Sequence, residues 1–144
     1  MGDFVWNDAN ANGQQDANEL GVPNVTVQLI NATTGAVVST TTTDASGKYI
    51  LPNIDPGTYI IKYTAPGGYT FTTPLTGPTG TDSNVTSSTG NVGSTAPFSI
   101  TAGQQELTVD AGLKPVGAII GDFVWNDTNG NGFRIRASQV FQVW

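Results

Sequence analysis

Hydrophobic and polar residues alternate along much of this chain. Val25, Val27 and Leu29 are separated by the polar Thr26 and Gln28, and this period of two is typical of a β-strand with one buried face. Similar short runs, rich in β-branched and aromatic residues, predict further strands. The runs cover residues 2–6, 37–43, 49–54, 58–64, 98–101 and 107–113. No helix is predicted anywhere.

Turn-forming pairs separate these runs. Thr34-Gly35, Ser46-Gly47, Pro56-Gly57 and Pro66-Gly67 supply the positive or fixed φ angles that reverse the chain direction. About seven short strands, in a chain with 18 Gly and 8 Pro, predict an all-β fold, an antiparallel β-sandwich. Residues 73–97 are a long polar stretch rich in Gly, Ser, Thr and Asn. A loop of that length needs something to order it, such as a bound ion.

The sequence contains an internal repeat. The heptapeptide GDFVWND at residues 2–8 returns unchanged at residues 121–127, and the similarity continues to residue 132. Trp6 and Trp125 occupy equivalent positions, and we expect core or interface aromatics there rather than a sugar-binding platform. The repeat predicts a module at residues 2–116, the start of a truncated second repeat at residues 117–132, and a non-repeat tail at residues 133–144 that is either native or a cloning remnant.

Composition narrows the chemistry. The formal net charge is −6 and the sequence pI is about 4.1, a balance that disfavours nucleic acid and favours divalent cations. The chain has no Cys and no His, which excludes disulfides, thiol and imidazole catalysis and nearly all zinc, iron or copper sites. No apolar run reaches the roughly 18 residues of a membrane helix, so no membrane insertion by this segment is expected.

A loop after the first predicted strand has the pattern of a calcium-binding loop. Residues 8–19 match D-x-[DN]-x-[DN]-G-x5-E at every specified position. The predicted ligands are side-chain oxygens of Asp8, Asn10, Asn12, Asp16 and Glu19 and the backbone carbonyl of Gln14. Roughly seven oxygen ligands suit Ca²⁺ better than Mg²⁺. The flanking segments read as strands, so the ion would clamp the fold rather than open a helix pair. The alternative is a solvated turn, because Asn, Asp and Gly are common turn residues.

A weaker second metal site is predicted at Asp82, Asn84 and Asp110, which come from the long polar stretch and from the last predicted strand. The alternative is equally open at this point: Asp82 caps a turn, and Asp110 accepts backbone hydrogen bonds. Asp44, in the sequence TDASG, is expected to form a turn rather than bind an ion.

Five motifs in order resemble the B-type repeat domains of bacterial serine-aspartate-repeat surface adhesins, which are related to collagen-adhesin B-type domains. The motifs are GDFVWND at residues 2–8, TDASGKY at 43–49, PGTY at 56–59, APGGY at 65–69 and VDAGL at 109–113. The resemblance implies an immunoglobulin-like or transthyretin-like sandwich, extracellular display in a secreted or surface-anchored protein, and calcium ligands within residues 8–19. It also supports Asp82, Asn84 and Asp110 as ligands of a second site.

Two departures from the resembled domains matter. Some related domains carry a Lys-Asn or Lys-Asp isopeptide cross-link with an assisting Glu. Here Thr64 stands where that Glu tends to lie, so the cross-link is not expected, although Lys62 and Glu106 keep it open. In the second copy, Ile135 and Ser138 replace the equivalents of Asp16 and Glu19. Asp127, Asn129 and Asn131 are therefore expected to bind ions poorly.

The sequence favours a mechanical function. The leading hypothesis is a calcium-stabilised spacer in a stalk, with calcium as the bound cofactor and neighbouring repeat modules of the same chain as partners. The alternative is a ligand-binding adhesin module that recognises a host protein or carbohydrate. An enzyme is the weakest hypothesis, because the ion loop already accounts for the densest group of acids.

Overall fold

The structure, a computed structural model, describes residues 2–117 in full and, beyond them, the backbone of two short strands. Every described element is a β-strand. The strands are β1 (Gly2–Asn7), β2 (Thr26–Asn31), β3 (Val37–Thr42), β4 (Lys48–Ile50), β5 (Gly57–Thr64), β6 (Tyr69–Phe71), β7 (Val85–Thr89), β8 (Val92–Thr95), β9 (Phe98–Ile100), β10 (Ala111–Pro115), β11 (Phe123–Trp125) and β12 (Val140–Gln142). No described segment has the length and hydropathy of a membrane-spanning helix.

The larger sheet has the order β3-β2-β5-β8-β7, and β9 pairs with β5 beyond the end of β8. Its centre is the antiparallel pair β2 and β5, which is in register from Thr26↔Thr64 to Asn31↔Tyr59. One face of this pair supplies the core: Val25, Val27, Leu29, Ile61 and Tyr63 are all fully buried. The alternation that predicted β2 therefore marks the buried face correctly.

The smaller sheet has the order β4-β1-β10-β6, and it covers the first to form a sandwich. Strands β1 and β10 are parallel, with Val5 opposite Ala111 and Asn7 opposite Leu113. Every other described strand pair is antiparallel, which confirms the predicted antiparallel β-sandwich. The first and last strands of the module both cross the sheet in the same direction. The chain therefore enters at one end of the module and leaves at the other.

The 73–97 stretch is more ordered than the sequence suggested. It contains the hairpin of β7 and β8 and brings the described strand number in residues 2–117 to ten, against about seven predicted. Conversely, the predicted strand at 107–113 begins only at Ala111, and the segment before it has no ladder partner. The pair β11 and β12 is antiparallel, with Phe123 opposite Gln142.

Candidate metal sites

The loop of residues 8–19 is built around a buried carboxylate. Asp8 follows β1 directly, and its side chain is fully buried. Its Oδ1 accepts the backbone N–H of Asn12 at 3.1 Å, and its Oδ2 accepts the N–H of Gly13 at 2.8 Å. The hydroxyl of Thr72, from the segment after β6, donates to Oδ2 at 2.5 Å. Asp8 thus fixes the first half of the loop and ties it to the β6 end.

The second half of the loop converges on Asp16. The side-chain amides of Asn10 and Asn12 both donate to Asp16 Oδ2 at 2.9 Å. Glu19 closes the loop, because its Oε1 accepts the Ala9 N–H and its Oε2 accepts the Asp16 N–H, each at 3.0 Å. The six predicted residues therefore belong to one continuous hydrogen-bonded loop, with Gln14 donating its N–H to Asn12 Oδ1 at 2.9 Å.

Gly13 is required by the shape of this loop. Its φ is +78°, and an added Cβ would lie 2.1 Å from Thr76 Oγ1 and 2.6 Å from the Thr73 carbonyl oxygen. Both the left-handed conformation and the close approach favour glycine. This is the position at which the calcium-loop pattern specifies Gly.

The donor chemistry of the loop fits an oxygen-liganded cation. Each predicted side chain carries at least one carboxylate or amide oxygen, and rotation of the Asn10 and Asn12 amides about their terminal bonds would turn their oxygens towards Asp16. Among the described side chains, however, no three acids lie close enough together to hold a metal ion by themselves. The first-site ligand set stays a prediction.

The second predicted site is brought together where the segments that precede β7 and β10 meet. Asn84 donates its N–H to the Asp110 carbonyl at 2.9 Å, and the Asp110 N–H donates to Asn84 Oδ1 at 2.7 Å. Asp82 and Asp110 are 4 % and 1 % exposed. Asp110 Oδ1 accepts the Phe4 N–H at 3.1 Å. In the described part of the chain, Asp110 Oδ2 and Asp82 Oδ1 are buried and have no hydrogen-bond partner.

Unpartnered buried oxygens on two acids fit a cation, since such atoms are costly to leave without a donor or a counter-charge. The alternative prediction was that Asp110 accepts backbone hydrogen bonds. It does accept one, from the Phe4 N–H, but only through Oδ1. The structure thus groups the three predicted residues, and the second-site ligand set stays a prediction.

The surroundings of Asp110 disfavour a negative charge on its carboxyl group. Burial raises the pKa of Asp110 to about 8, with Asp3, Asp82 and Glu106 adding to the rise and the Phe4 N–H opposing it. Burial also raises the pKa of Asp3, against the opposing charge of Lys48. A carboxylate in this position is neutralised by a proton or by a cation.

Two tyrosines close the cluster on its core side. The Tyr49 hydroxyl donates to the Val109 carbonyl at 2.5 Å, and the Tyr63 hydroxyl, 2.8 Å from the Tyr49 oxygen and 3.3 Å from the same carbonyl, shares its hydrogen between these two acceptors. Burial is the main cause that raises the pKa of each tyrosine, and the Asp110 charge adds to it. Both hydroxyls are therefore protonated donors.

Sequence reasoning missed four residues of these sites. Asp3 lies in the repeated heptapeptide, and the repeat gave it no separate role. Thr72 and Ser83 gave no signal, because isolated Thr and Ser in polar stretches are ordinary, and Glu106 was considered only for a cross-link. Ser83 is fully buried, and its Oγ accepts the Gly112 N–H at 3.1 Å.

The remaining predictions fall into two groups. Trp6 is fully buried, which confirms a core role, and Asp44 Oδ1 accepts the N–H groups of Ser46 and Lys48, which confirms a turn. Lys62 and Glu106 line two different grooves. The side chain of Trp125, the ion-binding residues of the second copy (Asp127, Asn129, Asn131, Ile135 and Ser138) and the tail of 133–144 lie outside the residues described with side chains.

A cleft of about 280 Å³ lies beside the second site. Leu75, Phe98 and Val109 give it apolar walls, and Asn84 connects it to the acidic cluster. Glu106 is the single carboxylate among its described lining residues.

Comparison with known proteins agrees with the motifs. The chain is 41% identical over 133 residues to serine-aspartate repeat-containing protein E of Staphylococcus aureus (strain MSSA476), and equally to bone sialoprotein-binding protein of S. aureus (strain MRSA252). These matches cover 92% of this chain and 11% of each relative, so the chain spans about a tenth of their length. These relatives are surface-anchored adhesins of Staphylococcus, and the predicted extracellular, surface-anchored location is confirmed.

The sequence model of one domain family, described as SdrD B-like domain, matches residues 1–113. The match contains both candidate sites, strands β1 to β9 and the first three residues of β10. The predicted resemblance to serine-aspartate-repeat B domains is confirmed. The chain belongs to the SdrD B-like domain family.

Proposed function

We propose that this domain is a calcium-stabilised spacer module of a surface-anchored adhesin, and not an enzyme. The observation that carries the proposal is the pair of buried carboxylates, Asp82 and Asp110, each with an oxygen that accepts no hydrogen bond. Among the described residues, Asp3, Asp82 and Glu106 add negative charge around Asp110. The one described basic side chain that opposes this charge is Lys48, and it acts on Asp3. A divalent cation would satisfy both oxygens and offset the repulsion.

The strand directions support a spacer. Because β1 and β10 are parallel neighbours, Gly2 and Pro115 lie at opposite ends of the smaller sheet. Seven residue steps along these strands separate the two ends, or about 23 Å at the usual rise per residue. The second copy of GDFVWND begins at residue 121, soon after β10 ends. Modules joined in this way extend in one direction.

The position of the first loop supports a role at the junction. Residues 8–19 follow Asn7, which is level with Leu113, so the loop lies at the end from which the chain continues into the second repeat. A cation held by Asp8, Asn10, Asn12, Gln14, Asp16 and Glu19 would stiffen that end of the module.

Thermal unfolding with and without chelator tests the proposal. A ligand at 100 times its Kd adds about 2.7 kcal/mol to the free energy of unfolding, which corresponds to roughly 10 °C in Tm for a domain of this size. We expect EDTA to lower Tm by that order and excess Ca²⁺ to restore it, while Glu19→Ala reduces the ion count by one in native mass spectrometry. Identical melting curves in EDTA and in millimolar Ca²⁺ would refute the proposal.

A second candidate function is recognition of a host ligand through the cleft of Leu75, Phe98 and Val109. One relative is named a bone sialoprotein-binding protein, and the cleft gives this module an apolar concave surface of its own. Surface plasmon resonance of the module against bone sialoprotein, with Phe98→Ala as the control, tests it. A pure spacer binds nothing. A glycosidase would need two placed carboxylates, and the described lining of this cleft has one, Glu106.

A further inference from the structure

The loop of residues 8–19 is docked on the segment of residues 72–84. Gln15 donates its N–H to the Thr81 carbonyl at 2.7 Å, and Gln14 pairs with Asp82 in an isolated antiparallel bridge. The side chain of Gln14 reaches further along the segment, where its Nε2 donates to the Thr76 carbonyl at 2.5 Å. Backbone and side chain of one residue therefore hold two points of the segment.

The docking is also steric. The Thr76 hydroxyl donates to the Asn12 carbonyl at 3.3 Å. Gly13 packs so closely that a Cβ there would overlap Thr73 and Thr76. Tightly packed, hydrogen-bonded segments have few alternative arrangements, so a change in one is felt by the other.

The docked segment carries half of the second site. Asp82 and Asn84 lie at its end, and Asn84 is held by the backbone of Asp110. The segment also closes on itself, because Leu75 donates its N–H to the Ser83 carbonyl at 3.0 Å. Gln14 thus belongs to the loop of the first site and contacts the segment that presents Asp82 to the second site.

We propose that the two cation sites are energetically coupled and that the Gln14 side chain is the positioning residue that couples them. The inference rests on the proposed function, since it requires both sites to bind Ca²⁺. An ion in the loop fixes Gln14, Gln14 fixes the segment, and the segment presents Asp82 and Asn84 in the geometry that favours the second ion. By linkage, the second ion strengthens the first to the same extent.

Gly77 offers a way to break the coupling by moving the Gln14 side chain without replacing any residue of the predicted ligand set. A Cβ at Gly77 would lie 2.8 Å from Gln14 Cδ and 3.0 Å from its Nε2, so Gly77→Ala displaces the flexible end of Gln14. Gly77 does not have a positive φ, and alanine fits its backbone. Gly67→Ala is the matched control, because Gly67 also lacks a positive φ and nothing lies within 4 Å of an added Cβ.

The experiment measures the first-site Kd for Ca²⁺ by isothermal titration calorimetry, in wild type and in Asp82→Asn, within each glycine background. Native mass spectrometry counts the ions, and Glu19→Gln identifies the first site. We expect Asp82→Asn to weaken the first site about tenfold, within the usual range of coupling between two sites. The ratio compared is the first-site Kd with Asp82→Asn over the first-site Kd without it. In the Gly77→Ala background this ratio falls below about twofold, while in the Gly67→Ala background it stays near tenfold.

A second readout follows the segment directly. In Asp82→Asn, Ca²⁺ at the remaining first site should slow amide hydrogen exchange at Thr81 and Asn84, and Gly77→Ala should remove that protection. Equal first-site affinities in wild type and Asp82→Asn, with two ions bound to wild type, overturn the coupling and leave the proposed function standing. A tenfold ratio that survives Gly77→Ala overturns the role of Gln14. Wild-type protein that binds no Ca²⁺ overturns the proposed function and the coupling together.

Discussion

In the loop of residues 8–19 no buried carboxylate oxygen lacks a hydrogen-bond donor, whereas the cluster around Asp110 has two buried carboxylate oxygens without one. The loop uses the backbone N–H groups of Asn12 and Gly13 to hold Asp8. In the cluster, burial and then the neighbouring acids raise the pKa of Asp110, which favours its neutral form. The hydrogen bonds of Asp8 therefore support the fold without an ion, whereas a charged Asp110 needs a counter-charge.

Asp8→Asn is the variant with the largest expected effect. An amide has one acceptor oxygen, whereas the carboxylate has two. In one orientation the amide NH₂ of the variant faces the Asn12 N–H, and in the other it faces the Gly13 N–H and the Thr72 hydroxyl. A buried donor facing a donor costs about 2–4 kcal/mol, or on the order of 10 °C in Tm. The loss should appear in EDTA as well as in Ca²⁺, by differential scanning calorimetry. A Tm in EDTA equal to that of wild type would mean that Asp8 acts only through an ion.

The pH dependence of stability comes next. The pKa of Asp110 is about 8 in the folded state and 3.8 in the reference state, so the folded state binds the extra proton between these values. Stability from this group is complete below about pH 4 and is lost as the pH rises through about 8. Asp3 shifts in the same direction. In EDTA we expect a loss of up to about 4 kcal/mol between pH 5 and pH 8.5.

Saturating Ca²⁺ should flatten this pH profile, because the cation replaces the proton. Urea unfolding at five pH values, with and without EDTA, measures the effect. A free energy of unfolding that rises with pH in EDTA would contradict the raised pKa of Asp110. A pH profile that Ca²⁺ leaves unchanged would show that the ion does not bind at the cluster around Asp110.

Asp110→Asn should have the opposite sign to Asp8→Asn. The amide keeps the oxygen that accepts the Phe4 N–H, and it removes a desolvated charge from among Asp3, Asp82 and Glu106. In EDTA at pH 8.5 we expect a gain of about 1–2 kcal/mol, with little change at pH 5. In Ca²⁺ the variant should instead fall below wild type. Matching signs for the two substitutions in EDTA would end the contrast between loop and cluster.

The sequence predicted the parts of this molecule that local pattern controls. Val25, Val27 and Leu29 alternate along β2 and are buried as expected. Strands β7 and β8 were missed because Ser, Thr and Gly dominate them. They form because β8 pairs with β5 and β7 pairs with β8, a tertiary pairing that no local pattern encodes.

The same division holds for the sites. A sequence motif identifies the predicted ligands of the loop, because they lie within twelve consecutive residues that fold back on themselves. Thr72, 64 positions after Asp8, carries no such mark, and neither does the effect of Asp3 on Asp110. These contacts depend on how the two sheets place distant segments, which single positions in a sequence do not specify.

Thr72→Val has the smallest expected effect and isolates this long-range contact. Valine has nearly the shape of threonine, and the substitution removes the hydroxyl that donates to Asp8 Oδ2. The loss of a hydrogen bond to a charged acceptor is worth about 1.5–3 kcal/mol when buried. Asp8 keeps its bonds to Asn12 and Gly13, so we expect the lower end, or roughly 5 °C in Tm. Thr70→Val is the control, because the Thr70 hydroxyl donates to the Gly90 carbonyl at an exposed site. Equal shifts for both variants would show that Thr72 contributes through strand packing alone, and that Asp8 is held by its own loop.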